Sequence, residues 1–401
     1  MRAGHLLVAL LATACLPAPE PGGRGGADGG PGGESCEPIP LTAVCRPEWY
    51  GDEDCDPNNN LPECEWDGGD CCPSTCTGED CGNMGYDCRD PAAGGDGLAD
   101  PEPIDAPCAA VDDPLAPESL KVDVARLSSD AAAGRRPGSS GDWRARRYIE
   151  DRFACLGLHP AADGCYQVPF HSSKGDPTGN VVGVIPGSDP ELAHEIILVG
   201  AHHDGVGVED DVIRPGANDN ASGLAAMLAI ADLIQRTPNP PRRTVAFVAF
   251  GAQNMGVEGA MRHVASPPEG MAMENVVYMV NIDMIGSYQH AGGADSFGTF
   301  SDTPGRALVE AGLDDQPDLD VSLGVVSDDG SDHAPFCSRG IPFVYLETAD
   351  DSCWHKACDD ANWVDYTNLS RLTLLLHQVI AGLADSDEDL AALRGQGGCT
   401  P

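Results

Sequence analysis

A chain of 401 residues with 64 acidic and only 23 basic side chains carries a formal charge of −41. Such a field repels phosphate backbones and anionic bilayers, which excludes nucleic acid as a partner and leaves a lipid anchor as the route to a membrane. Single hydrophobic cores stop growing near roughly 250–300 residues, so one large domain and one small module are expected, with most of the carboxylates simply solvating the surface.

In chain order, Met1-Arg2 and the apolar run from Leu6 to Ala12 are too short to span a bilayer and read as a signal-peptide core. The segment Leu11-Ala12-Thr13-Ala14-Cys15 is similar to a bacterial lipobox, although Ala12 stands where Leu is preferred. Cys15 is therefore the expected lipidation site of residues 1–15, with ordinary signal cleavage nearby as the alternative. Of 17 cysteines, setting Cys15 aside leaves 16, an even number suited to disulfides in an oxidising compartment. The expected location is extracytoplasmic, lipid-anchored to the bacterial cell envelope or secreted.

Residues 16–35 are a Gly/Pro-rich linker. Residues 36–90 hold nine cysteines with little apolar sequence, which implies a small disulfide-rich module. A second linker over 91–117 leads to the large domain at 118–386, and 387–401 form a tail. Short β-branched runs at Asn180–Ile185, Ile196–Val199, Thr244–Phe250, Val276–Ile282 and Pro342–Leu346 alternate with helical periodicity at Trp143–Leu156, Ala221–Gln235 and Asp365–Leu383. This is an α/β pattern: a mostly parallel central sheet flanked by helices. In such sheets ligands bind beyond the carboxyl ends of strands.

Chemistry-bearing residues stand at those ends. After Ile196–Val199 comes Gly200-Ala201-His202-His203-Asp204, where His202 is a candidate metal ligand and Asp204 its orienting acceptor. Asp219 lies in the turn Pro215-Gly216-Ala217-Asn218-Asp219-Asn220, as a ligand or as a simple helix N-cap. Asp283 closes Val280-Asn281-Ile282, and His355 sits in Cys353-Trp354-His355-Lys356-Ala357-Cys358. Two imidazoles and two carboxylates, one able to bridge, suit a two-zinc centre.

These segments resemble the co-catalytic zinc aminopeptidase family, which includes bacterial leucyl aminopeptidases, glutamate carboxypeptidases and glutaminyl cyclases. Gly134-Arg135-Arg136-Pro137-Gly138-Ser139 and Ser331-Asp332-His333-Ala334-Pro335-Phe336 resemble further landmarks of that family. The resemblance implies that His202 and Asp283 bind one zinc, His355 the other, and Asp219 bridges both. Its substrates are peptide or protein N-termini. One departure stands out. Where the family carries Gly-Ala-Glu-Glu, this chain reads Gly251-Ala252-Gln253-Asn254. The first glutamate is the family's general base and the second a ligand of the zinc that His355 binds, so Gln253 marks a lost base and Asn254 a weakened ligand. One zinc is expected to bind and the second to be loose or absent.

Three readings stand: a zinc aminopeptidase of reduced activity, a non-catalytic peptide- or protein-binding pseudopeptidase domain, and a glutaminyl cyclase-like enzyme. Glu258, Glu347 and Asp350 are the carboxylates that could replace the base. The small module resembles the calcium-binding repeat of Notch receptors and pappalysins, which implies Ca²⁺ held by Asp67 and Asp70, with Asp56 and Asn59 as further oxygen ligands. Cys155 is expected to pair with Cys165 and Cys353 with Cys358, Cys337 being a competitor for the latter.

Overall fold

The computed structural model describes residues 75–77, 111–161, 164–298, 303–324, 330–350 and 352–395. The expectations for Cys15, the first linker, and Asp56, Asn59, Asp67 and Asp70 fall outside these residues. No helix among the described residues is long and apolar enough to cross a membrane.

The strands are β1 (His159–Pro160), β2 (Gln167–His171), β3 (Pro177–Ile185), β4 (Ile196–His202), β5 (Gly207–Glu209), β6 (Val212–Arg214), β7 (Thr244–Phe250), β8 (Val276–Ile282), β9 (Ala294–Phe297), β10 (Val321–Leu323) and β11 (Phe343–Glu347). Nine of them form one sheet in the order β1-β3-β7-β4-β8-β11-β9-β10, with β2 also pairing with β3, and β5 and β6 form a separate hairpin. The centre, β7-β4-β8-β11, is parallel as its apolar runs require. Beyond it β3 runs antiparallel to β7, and β9 antiparallel to β11, so the sheet is mixed. The edge strands carry too few consecutive apolar residues to be seen in the sequence; β2 buries only Phe170.

Every residue of β4, β7 and β8 beyond Thr244 is buried, because both faces of the central sheet are covered. In β4, Ile197 and Val199 face one core while Leu198 faces the other, following the two-residue period. Each such side chain contributes on the order of 1.5–3 kcal/mol by burial. The larger core lies under α1 (Pro117–Leu127), α2 (Ser140–Leu156), α3 (Gly223–Arg236), α6 (Pro304–Asp314) and α8 (Tyr366–Asp385). The short α4 (Glu258–Ala265) and α7 (Ala334–Cys337) cover the opposite face, and α5 (Tyr288–Ala291) is a single turn.

Local chemistry sets the helix limits. Ser139 caps α2 by accepting the Asp142 N–H, and Gly157 ends it at φ 76°, a conformation glycine adopts without penalty. Asp365 caps α8 by accepting from the Asn368 N–H. Regular helix in α3 begins at Gly223, two residues later than its composition suggests, because residues 217–222 form an irregular turn. The Cys353–Cys358 disulfide is present, with Cα atoms 5.4 Å apart, so Cys337 does not compete for either. Cys155, Cys165 and Cys337 are also disulfide-bonded.

His263 of α4 is buried between Phe250 and Phe336, with ring centroids 6.0 and 5.9 Å away. Neither ring nitrogen has a hydrogen-bond partner, and burial pushes its pKa down to about 4. The fold therefore holds the neutral ring, while the unfolded chain takes up a proton below its ordinary value of about 6.5. That stability is present above pH ~6.5 and is lost as pH falls through 4, by about 3 kcal/mol in total. His263→Phe should remove that part of the acid destabilisation. Urea unfolding of both proteins at pH 7 and pH 4.5 checks it.

Candidate metal centre

The carboxyl ends of β4, β8 and β11 open on one cleft, and the turn before α3 joins them. His202 ends β4 and Asp283 follows β8. His202 Nε2 lies 3.2 Å from Asp219 Oδ1 and 3.2 Å from Asp283 Oδ1. The other oxygen of Asp219 lies 3.1 Å from His355 Nε2. One ligand atom from each of His202, Asp219 and Asp283 falls within 4.8 Å of the other two, and all three residues are buried. The four residues singled out by their places at element ends thus meet, and Asp219 stands between the two imidazoles. It is not an N-cap, since α3 begins after Ser222 without a side-chain cap.

The electrostatics are those of a cation site. Burial works against a charged His202, but the carboxylates of Asp283 and Asp219 outweigh it and hold its pKa well above the ordinary value. Burial would raise Asp219, yet its bonds to His202 and His355 pull it below the usual carboxylate range. Buried like-charged carboxylates are costly without a compensating cation. One imidazole nitrogen and two carboxylate oxygens are a donor set that fits zinc, which would displace the proton.

Around the cluster, other side chains fix its members. His202 Nδ1 is 3.1 Å from the backbone carbonyl of Asp204 and 3.7 Å from its carboxylate. The carbonyl, rather than the expected carboxylate, is therefore the nearer acceptor and turns Nε2 toward the acids. The Asp204 carboxylate accepts instead from the backbone N–H groups of Gln253 (2.8 Å) and Asn254 (3.1 Å), linking His202 to the turn after β7. Ser331 donates to the second oxygen of Asp283. Asn220 donates to the Ile282 carbonyl at 2.9 Å and accepts from the Met284 N–H at 3.1 Å, which ties the Asp219 turn to the end of β8. The carboxylate of Asp359 accepts from the N–H groups of Asn218 at 2.6 Å and Asp219 at 3.1 Å. Because Asp359 directly follows the Cys353–Cys358 loop, it couples His355 to Asp219. Arg135 is fully buried and donates to the carbonyls of Leu127, His203, Pro215 and Gly216 at 2.6–2.9 Å. Arg135 and Ser331 fall within segments noted as family landmarks but were given no role from sequence, and Asn220 and Asp359 were not singled out. Their one available signal was adjacency to the motifs, as in the Asp that follows Cys358.

Gln253 and Asn254 line the cleft, whose volume is about 430 Å³. Gln253 Nε2 donates to the Gly330 carbonyl at 3.3 Å, and the Asn254 amide nitrogen lies 3.4 Å from Asp204 Oδ2. The Asn254 side chain thus faces Asp204. Of the three carboxylates that could replace the base, Glu258 accepts from the N–H and hydroxyl of Ser173 and does not line the cleft. Asp350 accepts from Ser352 and does not line it either. Glu347 does.

The chain matches the model of peptidase family M28 over residues 180–380, half of its length, and belongs to that family. Residues 34–71 match the LNR domain of Notch. Leupeptin-inactivating enzyme 1 of Streptomyces exfoliatus is 27% identical over 310 residues, covering 68% of this chain and 63% of that one. The aminopeptidase YwaD of Bacillus subtilis is 28% identical over 206 residues, covering 48% and 41%. The chain thus spans less than two-thirds of either relative. Among solved structures, the zinc aminopeptidase BSAP from Bacillus subtilis superposes with a TM-score of 0.56 at 15% identity over 68% of this chain and 96% of that one. A glutaminyl cyclase from Bacteroides thetaiotaomicron gives 0.53 at 15% over 67% and 98%. At such identities these two likenesses concern the fold.

Replacing Asp359 by Asn would set an amide N–H₂ against one of the two backbone N–H groups it now accepts. Asp359→Asn should weaken zinc binding by about 10–100-fold, the usual effect of losing a ligand-orienting partner. The control Asp360→Asn, whose carboxylate accepts the Asn362 N–H, should not. Competitive chelator titration of the two full-length variants checks this.

Proposed function

We propose that the large domain holds one zinc between His202, Asp219 and Asp283, with His355 at its margin, and receives peptide N-termini in the adjoining cleft with strongly reduced hydrolysis. The observation that carries the reading is the neutral pair Gln253 and Asn254 on a cleft whose other cluster members are retained. A zinc ion bound there supplies a Lewis acid that polarises a peptide carbonyl. Asp219 and Asp283 hold it, while Asp204 keeps the His202 ring turned toward them and secures the turn that carries Gln253. Gln253 can donate or accept a hydrogen bond in the cleft but cannot take up a proton near neutral pH. A missing general base costs on the order of 10²–10⁴ in rate.

A purely binding role is the second reading, and the Asn254 side chain, turned toward Asp204, favours it over a full two-metal peptidase. A glutaminyl cyclase-like activity would need the same missing glutamate. The double change Gln253→Glu with Asn254→Glu should raise zinc stoichiometry from about one toward two. It should also raise hydrolysis of aminoacyl chromogenic substrates by on the order of 10²-fold or more. Wild-type turnover at ordinary enzyme rates, on the order of 1–10³ per second, would defeat the reading.

For the LNR module we infer calcium bound through Asp67 and Asp70, with Asp56 and Asn59. Chelation should lower the thermal stability of a transition in the full chain, by about 2.7 kcal/mol relative to calcium at 100 times its Kd. Re-added calcium, but not zinc, should restore it in calorimetry. A transition indifferent to calcium would refute this.

A further inference from the structure

The cleft contains a carboxylate that the metal cluster does not use. Glu347, the half-buried last residue of β11, lines it together with Phe297, Tyr345 and Trp354. Tyr345 lies two residues earlier and so on the same face, and its hydroxyl donates to Glu347 Oε2 at 2.6 Å. That bond sets the direction of the carboxylate. The antiparallel register of β11 on β9 places Phe297 opposite Tyr345 and Asp295 opposite Glu347. The two rings lie 5.8 Å apart, and the next pair on that face is two acids. Directly opposed like charges disfavour a strand pair, and a cation brought to that face would offset the repulsion. Burial and the charges of Asp283 and Glu347 push the Tyr345 phenol well above its usual range, so this end of the cleft lies within electrostatic reach of the metal cluster.

An aliphatic side chain entering such a pocket would take water from Glu347 while offering it neither a hydrogen bond nor an opposite charge. A guanidinium or ammonium group would gain a charge-assisted hydrogen bond from it and lie against the aromatic walls. We infer that Glu347 is the specificity-determining residue of the cleft and selects peptides whose first residue has a cationic side chain, arginine or lysine. The inference rests on the N-terminal recognition proposed above. The α-ammonium of any peptide carries the same charge, so the two sources must be separated.

Calorimetric titration of the zinc-loaded full chain with argininamide, leucinamide and N-acetylargininamide does so without depending on turnover. Argininamide should bind at least about tenfold more tightly than leucinamide, the size of one hydrogen bond to a charged group. N-acetylargininamide, which lacks the α-ammonium, should still bind in a Glu347-dependent way. Glu347→Gln should bring argininamide to within about twofold of leucinamide with an unchanged thermal midpoint. Glu347→Asp, which keeps the charge, should retain part of the preference. Equal wild-type affinity for argininamide and leucinamide, with Glu347→Gln weakening both alike, assigns Glu347 to the α-ammonium and overturns the inference alone. Unchanged binding in Glu347→Gln also overturns it. Failure of every amide to bind wild type overturns the N-terminal recognition reading as well.

Discussion

Asp219 offers one oxygen to His202 and the other to His355, with Asp283 sharing the same face of His202. Bringing two carboxylates out of water next to each other is unfavourable in a low-dielectric interior, and the surrounding structure is arranged around that constraint. Asp359 spends its carboxylate on the backbone of the Asp219 turn. Arg135 binds four carbonyls from α1, the end of β4 and the same turn, and Asn220 joins that turn to β8. The result is a preorganised set of donors rather than one that a ligand must assemble.

Asp204 has a double attachment that gives the amide pair its meaning. Through its carbonyl it orients His202, and through its carboxylate it holds the N–H groups of Gln253 and Asn254. The turn to which the family resemblance assigns a base and a further ligand is therefore in place, and it carries two neutral amides. Two neutral amides also leave the cleft less negative than two glutamates would, and among the described residues that line it Glu347 is a charge outside the metal cluster. On the proposed reading, a retained scaffold that carries neutral amides at these two positions suits a cleft that recognises more than it cleaves.

Much of the fold was legible because the central strands are long, apolar and covered on both faces: the expected runs at Thr244–Phe250 and Val276–Ile282 coincide with β7 and β8. The helix over 366–385 begins one residue after its expected start at Asp365, which instead caps it. The edges were not legible. Strands such as β9 and β10, four and three residues long, are too short for periodicity to register, and their direction depends on neighbours far away in sequence. The antiparallel placement of β9 beside β11 is one such outcome, and it is what faces Phe297 with Tyr345.

At the site, residue type and position at a strand end were enough to single out His202, Asp219, Asp283 and His355, and the amides at 253 and 254 were visible as a departure from the family's pattern. Those features are local: they follow from the identity of a residue and its place relative to an apolar run. Whether Glu258 or Glu347 faces the cleft was not local. A sharp turn through Val257 at φ 54° precedes Glu258, which pairs with Ser173, 85 residues away, while the pairing of β11 with β8 and β9 carries Glu347 into the cleft. The roles of Arg135 and Asp359 likewise consist, apart from the bond of Arg135 to Leu127, of bonds to backbone groups 68–141 residues distant. The sequence by itself determined which atoms could bind a metal or move a proton. Only the tertiary structure decided which of them share a cleft, because side-chain direction at a turn or an edge strand depends on packing and hydrogen bonds between distant segments.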